Sequence, residues 1–154
     1  MAALIAPDQT YLDSANVGEF LKQSIPAGKF RDKRILLIIP DSTRTAPVGT
    51  VFKHLFDLHG GNASAIDILV ALGTHQPMSE EAICQRLEIS LEERQNQYSN
   101  VQFYNHEWDN PEALKQIGTI TPEEISDLTD GRFSMEVPVS INKRLFDYDQ
   151  IIII

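Results

Sequence analysis

The chain has 154 residues, of which 42% are apolar and 23% are charged, and its 22 acidic and 13 basic side chains give a net charge of -9. A soluble chain of this size can bury one hydrophobic core, so a single domain is the simplest expectation. The acidic balance, without any cluster of Lys or Arg, argues against nucleic acid and anionic membranes as partners, and no apolar run approaches the roughly 20 residues that cross a bilayer.

Targeting signals and several common catalytic motifs are missing from the sequence. The start lacks the charged front and long apolar core of a signal peptide, so we expect a cytoplasmic protein. The single cysteine, Cys84, lies at helical spacing beside Ile83 and Leu87, which indicates a buried thiol rather than a nucleophile. Zinc hydrolases, P-loop enzymes and serine hydrolases find no support, because none of their motifs is present.

The first elements are a short helix and a strongly apolar strand. Periodicity is weak at the start, but a short helix over residues 17–25 is predicted to stop at Pro26 and Gly28. Residues 34–40, RILLIIP, form a continuous apolar run bounded by charge and proline. Such a run is typical of a strand that is buried on both faces of a parallel sheet.

A helix and a second strand follow. From Thr45 the apolar residues keep helical spacing as far as Gly60 and Gly61, which suit a left-handed helix end. Residues 65–73, AIDILVALG, predict a second buried strand. Ser79 is a suitable N-cap for the next helix, and the acidic residues Glu80 and Glu81 follow it in the first turn, where negative charge is favourable.

The second half of the chain alternates short helices and strands. Ser90 with Glu93, and Thr121 with Glu124 ahead of Pro122, both fit the capping box at the start of a helix. Further strands are predicted, the second of them more weakly, at residues 101–106, 114–120 and 150–154. The pattern predicts an α/β fold with a mostly parallel sheet and helices on both faces. Because the sequence stops inside an apolar strand, we expect an incomplete sheet and a fragment of a longer protein.

Polar residues follow the first two strands, at the carboxyl ends where open α/β sheets bind their ligands. They are Asp41, Ser42, Thr43 and Arg44 after the first strand, and Gly73, Thr74 and His75 after the second. The stretch from Asp41 to His75 accommodates one strand, helix and strand. A right-handed crossover of that kind would bring both loops to one edge of the sheet.

The residue types in these loops suit proton transfer and anion binding. Arg44 offers a planar fork for a carboxylate or phosphate, and Asp41 could hold that guanidinium or accept a hydrogen bond from a ligand hydroxyl. A histidine such as His75 can take and return a proton near neutral pH. The alternative is structural: Asp41 and Thr43 could cap the following helix, and a single histidine after a strand is often structural.

The remaining histidines are weaker candidates. His54 lies off the apolar stripe and is predicted to be solvated, while His59 occupies a last helical turn, where positive charge is favourable. His106 follows a strand candidate and could border the same crevice. Asn105 and Asn110 beside it, however, are typical of turns and helix starts, so the structural interpretation is favoured.

Three motifs resemble those of the nickel-dependent lactate racemase family in order and spacing. They are DSTRTAP at 41–47, ALGTHQPM at 71–78 and NHEWDNP at 105–111, and the resemblance runs from about residue 30 to the end. The family pattern is Asp-x-Thr-Arg-Pro-x-Pro followed by Gly-Thr-His-x-Pro-Met. Thr45 replaces the first proline of that pattern, a departure that could loosen the loop or mark a different subgroup.

The resemblance implies an isomerase, a racemase or epimerase of small 2-hydroxy acids. In that family a nickel-pincer nucleotide accepts hydride while two histidines alternate as base and acid. By resemblance, His75 is one of these histidines and Arg44 binds the anionic substrate or cofactor. The further binding positions that it implies are Asp41, Thr43, Gly73 and Thr74.

The resemblance also implies that the chain is the N-terminal portion of a larger enzyme and that it is inactive alone. The lysine that tethers the cofactor, the histidine that ligates nickel and the second acid–base histidine would lie in family segments beyond residue 154. We therefore expect no nickel-pincer cofactor on this chain by itself. Two alternatives stay open: a non-catalytic module that binds a small anionic metabolite, and a structural fragment whose exposed sheet edge pairs with another copy.

Overall fold

A computed structural model of the chain describes residues 3, 5–6 and 10–154. The helices are α1 Ser14–Ser24, α2 Val48–His59, α3 Glu80–Arg86, α4 Leu91–Gln95 and α5 Pro122–Leu128. The strands are β1 Arg34–Pro40, β2 Ala65–Ala71, β3 Phe103–Asn105, β4 Leu114–Ile120, β5 Val137–Asn142 and β6 Gln150–Ile153. Short 3₁₀ helices lie at Pro111–Ala113 and Lys143–Asp147. The fold forms two compact units, one that runs to His106 and resumes at Tyr148, and a second that spans residues 107–147.

The first unit is built on a parallel sheet flanked by helices, which confirms the predicted α/β class. Within the described residues the sheet has four strands in the order β3-β2-β1-β6, and every neighbouring pair is parallel. β1 and β2 pair over their whole length, from Arg34 opposite Ala65 to Pro40 opposite Ala71. The two central strands therefore end at the same level.

Burial on both faces explains why β1 has a continuous apolar sequence. Ile35 and Leu37 belong to the main core cluster, which α2 covers with Phe52 and Leu55. Leu36 is also fully buried, although its side chain points to the other face of the strand. The prediction for residues 34–40 is confirmed at both ends. β2 is two residues shorter than predicted, because the chain turns at Leu72 before it reaches the end of the apolar run.

Side-chain caps set the start of most helices. The predicted caps Ser79, Ser90 and Thr121 are confirmed, and the last two form capping boxes. α1 begins three residues before the prediction, because the side chain of Asp13 accepts a hydrogen bond from the backbone of Asn16. None of the helices in the described part of the chain is long and apolar enough to span a membrane.

The end of α2 differs from the prediction in two ways. Gly60 has a φ of -57°, so the expected left-handed helix end is wrong. The carbonyl of His59 instead accepts from the backbone N–H groups of Asn62 and Ala63, which closes the helix in a right-handed turn. The His59 ring packs on Phe30 with 1% of the residue exposed, and neither ring nitrogen has a hydrogen-bond partner among the described residues. His59 occupies the last turn of α2 as predicted, but burial lowers its pKa and so disfavours the positive charge that this helix end would stabilise.

The second unit contains an antiparallel pair of strands and α5. β4 confirms the weaker strand prediction, but it pairs with β5 rather than with the parallel sheet. The register shifts between Gln116 and Gly118, where a bulge interrupts the ladder. Among the residues of this unit, all of which the structure describes, Asn142 is the most deeply buried. Sequence analysis did not predict β5.

Candidate active site

The candidate site lies where β1 and β2 end. Asp41 follows the last residue of β1, and the turn after β2 leads to His75. A cleft of about 390 Å³ lies against both strand ends. All the predicted site residues line it, namely Asp41, Thr43, Arg44, Gly73, Thr74 and His75. The crossover thus brings the two loops together, as expected from the parallel topology.

Asp41 is held by the loop that it begins. One carboxylate oxygen, Oδ1, accepts from the Thr43 backbone N–H at 3.0 Å and from the Thr43 hydroxyl at 2.6 Å. The other oxygen, Oδ2, accepts from His75 Nδ1. The alternative in which Asp41 and Thr43 cap the next helix is wrong, because α2 starts only after Pro47 and has no side-chain cap. The carboxylate is used within the site instead.

These hydrogen bonds keep Asp41 ionised although only 6% of the residue is exposed. The bond from His75 contributes most, followed by the bond from the Thr43 hydroxyl, and together they lower the pKa of Asp41 to about 2 against the opposing effect of burial. A carboxylate has no proton to donate, so the hydrogen between the two side chains belongs to His75 Nδ1. When the imidazole is neutral, its Nε2 therefore carries the free lone pair.

The His75 loop leaves the ring accessible. The side chain is 56% exposed, and the backbone N–H of His75 donates to the carbonyl of Leu72 at 3.0 Å. Gly73 makes this tight turn possible, because its φ of +58° lies in the left-handed region that favours glycine. The turn brings the ring to the cleft while Nδ1 stays with Asp41.

Arg44 is an exposed cation in the loop that begins at Asp41. Its backbone N–H donates to the Asp41 carbonyl at 3.4 Å. Within the described chain its guanidinium forms no hydrogen bond or ion pair, so the expected pairing of Arg44 with Asp41 does not occur. The guanidinium remains available to an anion that enters the cleft.

Two residues that sequence analysis did not place in the site support its loops. Arg86 Nε donates to the carbonyl of Pro40 at 3.1 Å, one residue before Asp41. The side chain of Asn105 bonds to the backbone of Met78 behind His75. Neither contact has a local sequence signal, since each joins residues that are far apart in the chain.

The donor set of the described residues does not suit a metal ion. Among them no group of three or more His, Cys, Asp and Glu side chains is arranged to hold one. Cys84 is buried and burial raises the pKa of its thiol, which confirms the predicted core thiol. His106 is not among the residues that line the cleft at the ends of β1 and β2. The arrangement of Asp41, His75 and Arg44 is suited to moving a proton beside a bound anion.

Comparisons with known proteins found a family model and a solved structure that are similar to this chain. The family model described as the lactate racemase N-terminal domain matches residues 15–154. A crystal structure of a Thermotoga maritima protein from a structural genomics consortium is 33% identical in sequence, with a TM-score of 0.78. The similarity covers 92% of this chain and 33% of that protein, so the chain spans about a third of its length. No curated protein is similar enough to the chain to count as a match.

Proposed function

The chain belongs to the lactate racemase family through its N-terminal domain, and we propose that it supplies one acid–base histidine of a 2-hydroxy-acid racemase or epimerase. The hydrogen bond between His75 and Asp41 beside the cleft is the observation that carries this proposal. A buried carboxylate that orients an accessible imidazole is a recurrent device for proton transfer.

In the proposed reaction His75 takes the hydroxyl proton of the substrate on Nε2. Asp41 favours this step in two ways, because it fixes the ring through Nδ1 and its negative charge stabilises the imidazolium that forms. Return of the proton from Nε2 regenerates the neutral ring. Proton transfer by a positioned side chain of this kind contributes typically about 100-fold to 10,000-fold to a rate.

Arg44 is the proposed binding group for the substrate carboxylate. A 2-hydroxy acid carries its carboxylate one carbon from the reacting hydroxyl, so the anion site and the proton acceptor must be close together. Arg44 and His75 line the same cleft, and the exposed guanidinium has no competing carboxylate partner among the described residues. The planar fork of arginine matches two carboxylate oxygens at once.

Hydride chemistry in this proposal belongs to the rest of the full-length protein. The family resemblance implies a nickel-pincer nucleotide, yet the described residues contain no cluster that could hold a metal. By the same resemblance, we propose that this chain contributes the proton acceptor and the anion site, and that the residues that tether the cofactor and ligate nickel lie elsewhere in the full-length enzyme. The chain alone is proposed to be inactive.

Replacing His75 by Ala in the full-length protein tests the proposal. Each direction of racemisation needs one proton acceptor and one proton donor, so the loss of His75 should lower both directions. The expected loss in kcat is about 100-fold or more. It is measured by following optical rotation from each enantiomer.

The matched control is Gln76→Ala, which alters the neighbouring exposed residue of the same loop and should leave kcat within about twofold. Near-normal racemisation by His75→Ala in a folded protein would remove His75 from the mechanism. Loss of activity in both variants would point to loop disruption and would also count against the assignment.

A further inference from the structure

The loop that carries His75 is fixed at two points. Near its start, the His75 backbone N–H donates to the carbonyl of Leu72 at 3.0 Å. At its end, the Met78 backbone N–H donates to Oδ1 of Asn105 at 3.0 Å, and Nδ2 of Asn105 donates to the Met78 carbonyl at 2.9 Å. A single side chain thus satisfies both backbone polar groups of Met78.

The parallel sheet gives Asn105 a rigid base. Asn105 is the last residue of β3 and pairs with Val70 of β2, the strand that leads into the His75 loop. The next backbone N–H, that of His106, donates to the carbonyl of Val70 at 3.0 Å. The backbone of Asn105 is therefore fixed relative to the end of β2, and its side chain transmits this position to Met78.

Few other contacts restrain the loop between these two points. Residues 73–77 are all exposed, so they have no place in the hydrophobic core. Within the part of the chain that the structure describes, the hydrogen bond that holds the His75 ring is the one to Asp41. A loop with little burial takes its conformation from hydrogen bonds, and the Met78 end depends on Asn105 for two of them.

We propose that Asn105 is a positioning residue: its side-chain amide clamps Met78 and thereby keeps the His75 imidazole against Asp41. The inference rests on the proposed function of His75, since the position of the ring matters for proton transfer. A carboxamide of this length presents one donor and one acceptor to the two backbone groups. Asp at position 105 would retain only the acceptor, and Leu would retain neither.

The test compares Asn105→Leu and Asn105→Asp with Asn110→Leu by NMR of the chain. Asn110 is a matched control, because its side chain also accepts one hydrogen bond, from the Glu112 backbone, and donates one, to Glu107, within the second unit. Two quantities are followed: the exchange rate of the Met78 amide, and the pKa of the Asp41 carboxyl.

Asn105→Leu should speed exchange of the Met78 amide about tenfold or more, since a lost hydrogen bond of about 1.4 kcal/mol corresponds to a factor of ten. The pKa of Asp41 should rise from about 2 towards its ordinary value of 3.8 as the ring is released. Asn105→Asp should have an intermediate effect on Met78, and Asn110→Leu should change neither quantity.

An unchanged pKa of Asp41 in a folded Asn105 variant would overturn the proposal, even if Met78 exchanged faster. If Asn105→Leu fails to fold, Asn105→Asp decides the question by the same criterion. Neither measurement depends on activity, so a failure here is distinguishable from a failure of the racemase proposal. That proposal stands or falls on the His75→Ala kinetics.

Discussion

Thr43 and Asp41 show how a short loop can hold a buried charge. Thr43 supplies two of the three hydrogen bonds to the Asp41 carboxylate, one from its backbone and one from its hydroxyl. These bonds fill Oδ1 and leave Oδ2 to face His75. Thr43 thus helps to orient the carboxylate towards the imidazole, and a carboxylate that is already oriented reduces the cost of ordering the pair.

Replacing Asp41 by Asn should reverse the tautomer of His75. A carboxamide that places its NH₂ towards the ring makes Nδ1 the acceptor, and Nε2 then carries the hydrogen and cannot accept a substrate proton. We expect ¹⁵N chemical shifts of the chain, above the pH at which the ring is protonated, to show hydrogen on Nδ1 in the native protein and on Nε2 in Asp41→Asn. In the full-length protein kcat should fall by about 100-fold or more.

Thr43→Val is the comparison for Asp41→Asn, because it removes the hydroxyl but keeps the backbone N–H and the Asp41 charge. It should retain the native tautomer and lose less activity. The same tautomer in Asp41→Asn as in the native chain would show that Asp41 does not control the ring.

The sequence predicts which residues meet at the site, but not how they pair. Strand ends and crossover length were enough to place Asp41, Arg44 and His75 at one edge of the sheet. The pairing depends on the turn conformations, which direct Asp41 towards His75 and leave Arg44 exposed. Asn105 was interpreted as a turn residue. Its contact with Met78 could not be predicted from the sequence, because that contact forms only when β3 lies beside β2.

At the scale of elements, the bounds of β1 and β4 were predicted from the sequence, whereas β5 was missed. β1 is buried on both faces, and the bounds of its apolar run correctly predicted where the strand begins and ends. β5 was missed, although its residues alternate between half-buried and exposed until the last one. Pro138 interrupts its polar face and Asn142 occupies its most buried position, so the hydrophobic pattern is weak. Proline is tolerated there because this strand belongs to a two-stranded sheet with open edges.

The turn after β2 should depend on glycine at position 73. Ala at a left-handed position costs about 1–2 kcal/mol, whereas Asn tolerates that conformation better. An added Cβ at Gly73 would meet nothing within 4 Å, so the cost is one of backbone conformation alone. We expect Gly73→Ala to lower the free energy of unfolding in urea by about 1 kcal/mol and Gly73→Asn to lower it less.

Gly118→Ala serves as the control for this prediction. Gly118 has equally open space around its Cα, but its φ is not in the left-handed region. The substitution should therefore change the free energy of unfolding by less than about 0.5 kcal/mol. Equal effects at the two glycines would contradict the role assigned to the Gly73 turn.

At the scale of the whole molecule, the proposed proton-transfer pair, Asp41 and His75, and the proposed anion-binding residue, Arg44, all lie in the first unit. The described residues of the chain include no metal-binding cluster, and the similar Thermotoga maritima protein is about three times as long. We propose that this chain supplies the proton acceptor and the anion site, and that the cofactor is attached to a part of the full-length enzyme that this chain does not contain.

Purified chain should therefore retain no stoichiometric nickel after dialysis and should not racemise 2-hydroxy acids. Nickel is measured by inductively coupled plasma mass spectrometry and racemisation by chiral chromatography. Full-length protein prepared in parallel is the positive control for both. One equivalent of nickel retained by the chain would contradict the proposed division and would call for a metal site built from its own side chains.

The parallel register between β1 and β2 limits the distance between the two loops of the candidate site. Pro40 lies opposite Ala71, so the spacing of adjacent strands, about 4.8 Å, limits how far the two loops can separate where they leave the sheet. Substitutions in the covering helices can alter stability without lengthening this separation, provided that the ladder holds. Evolution could thus vary the helices that cover the sheet, and with them the stability or solubility of the protein, while the distance between Asp41 and His75 stayed the same.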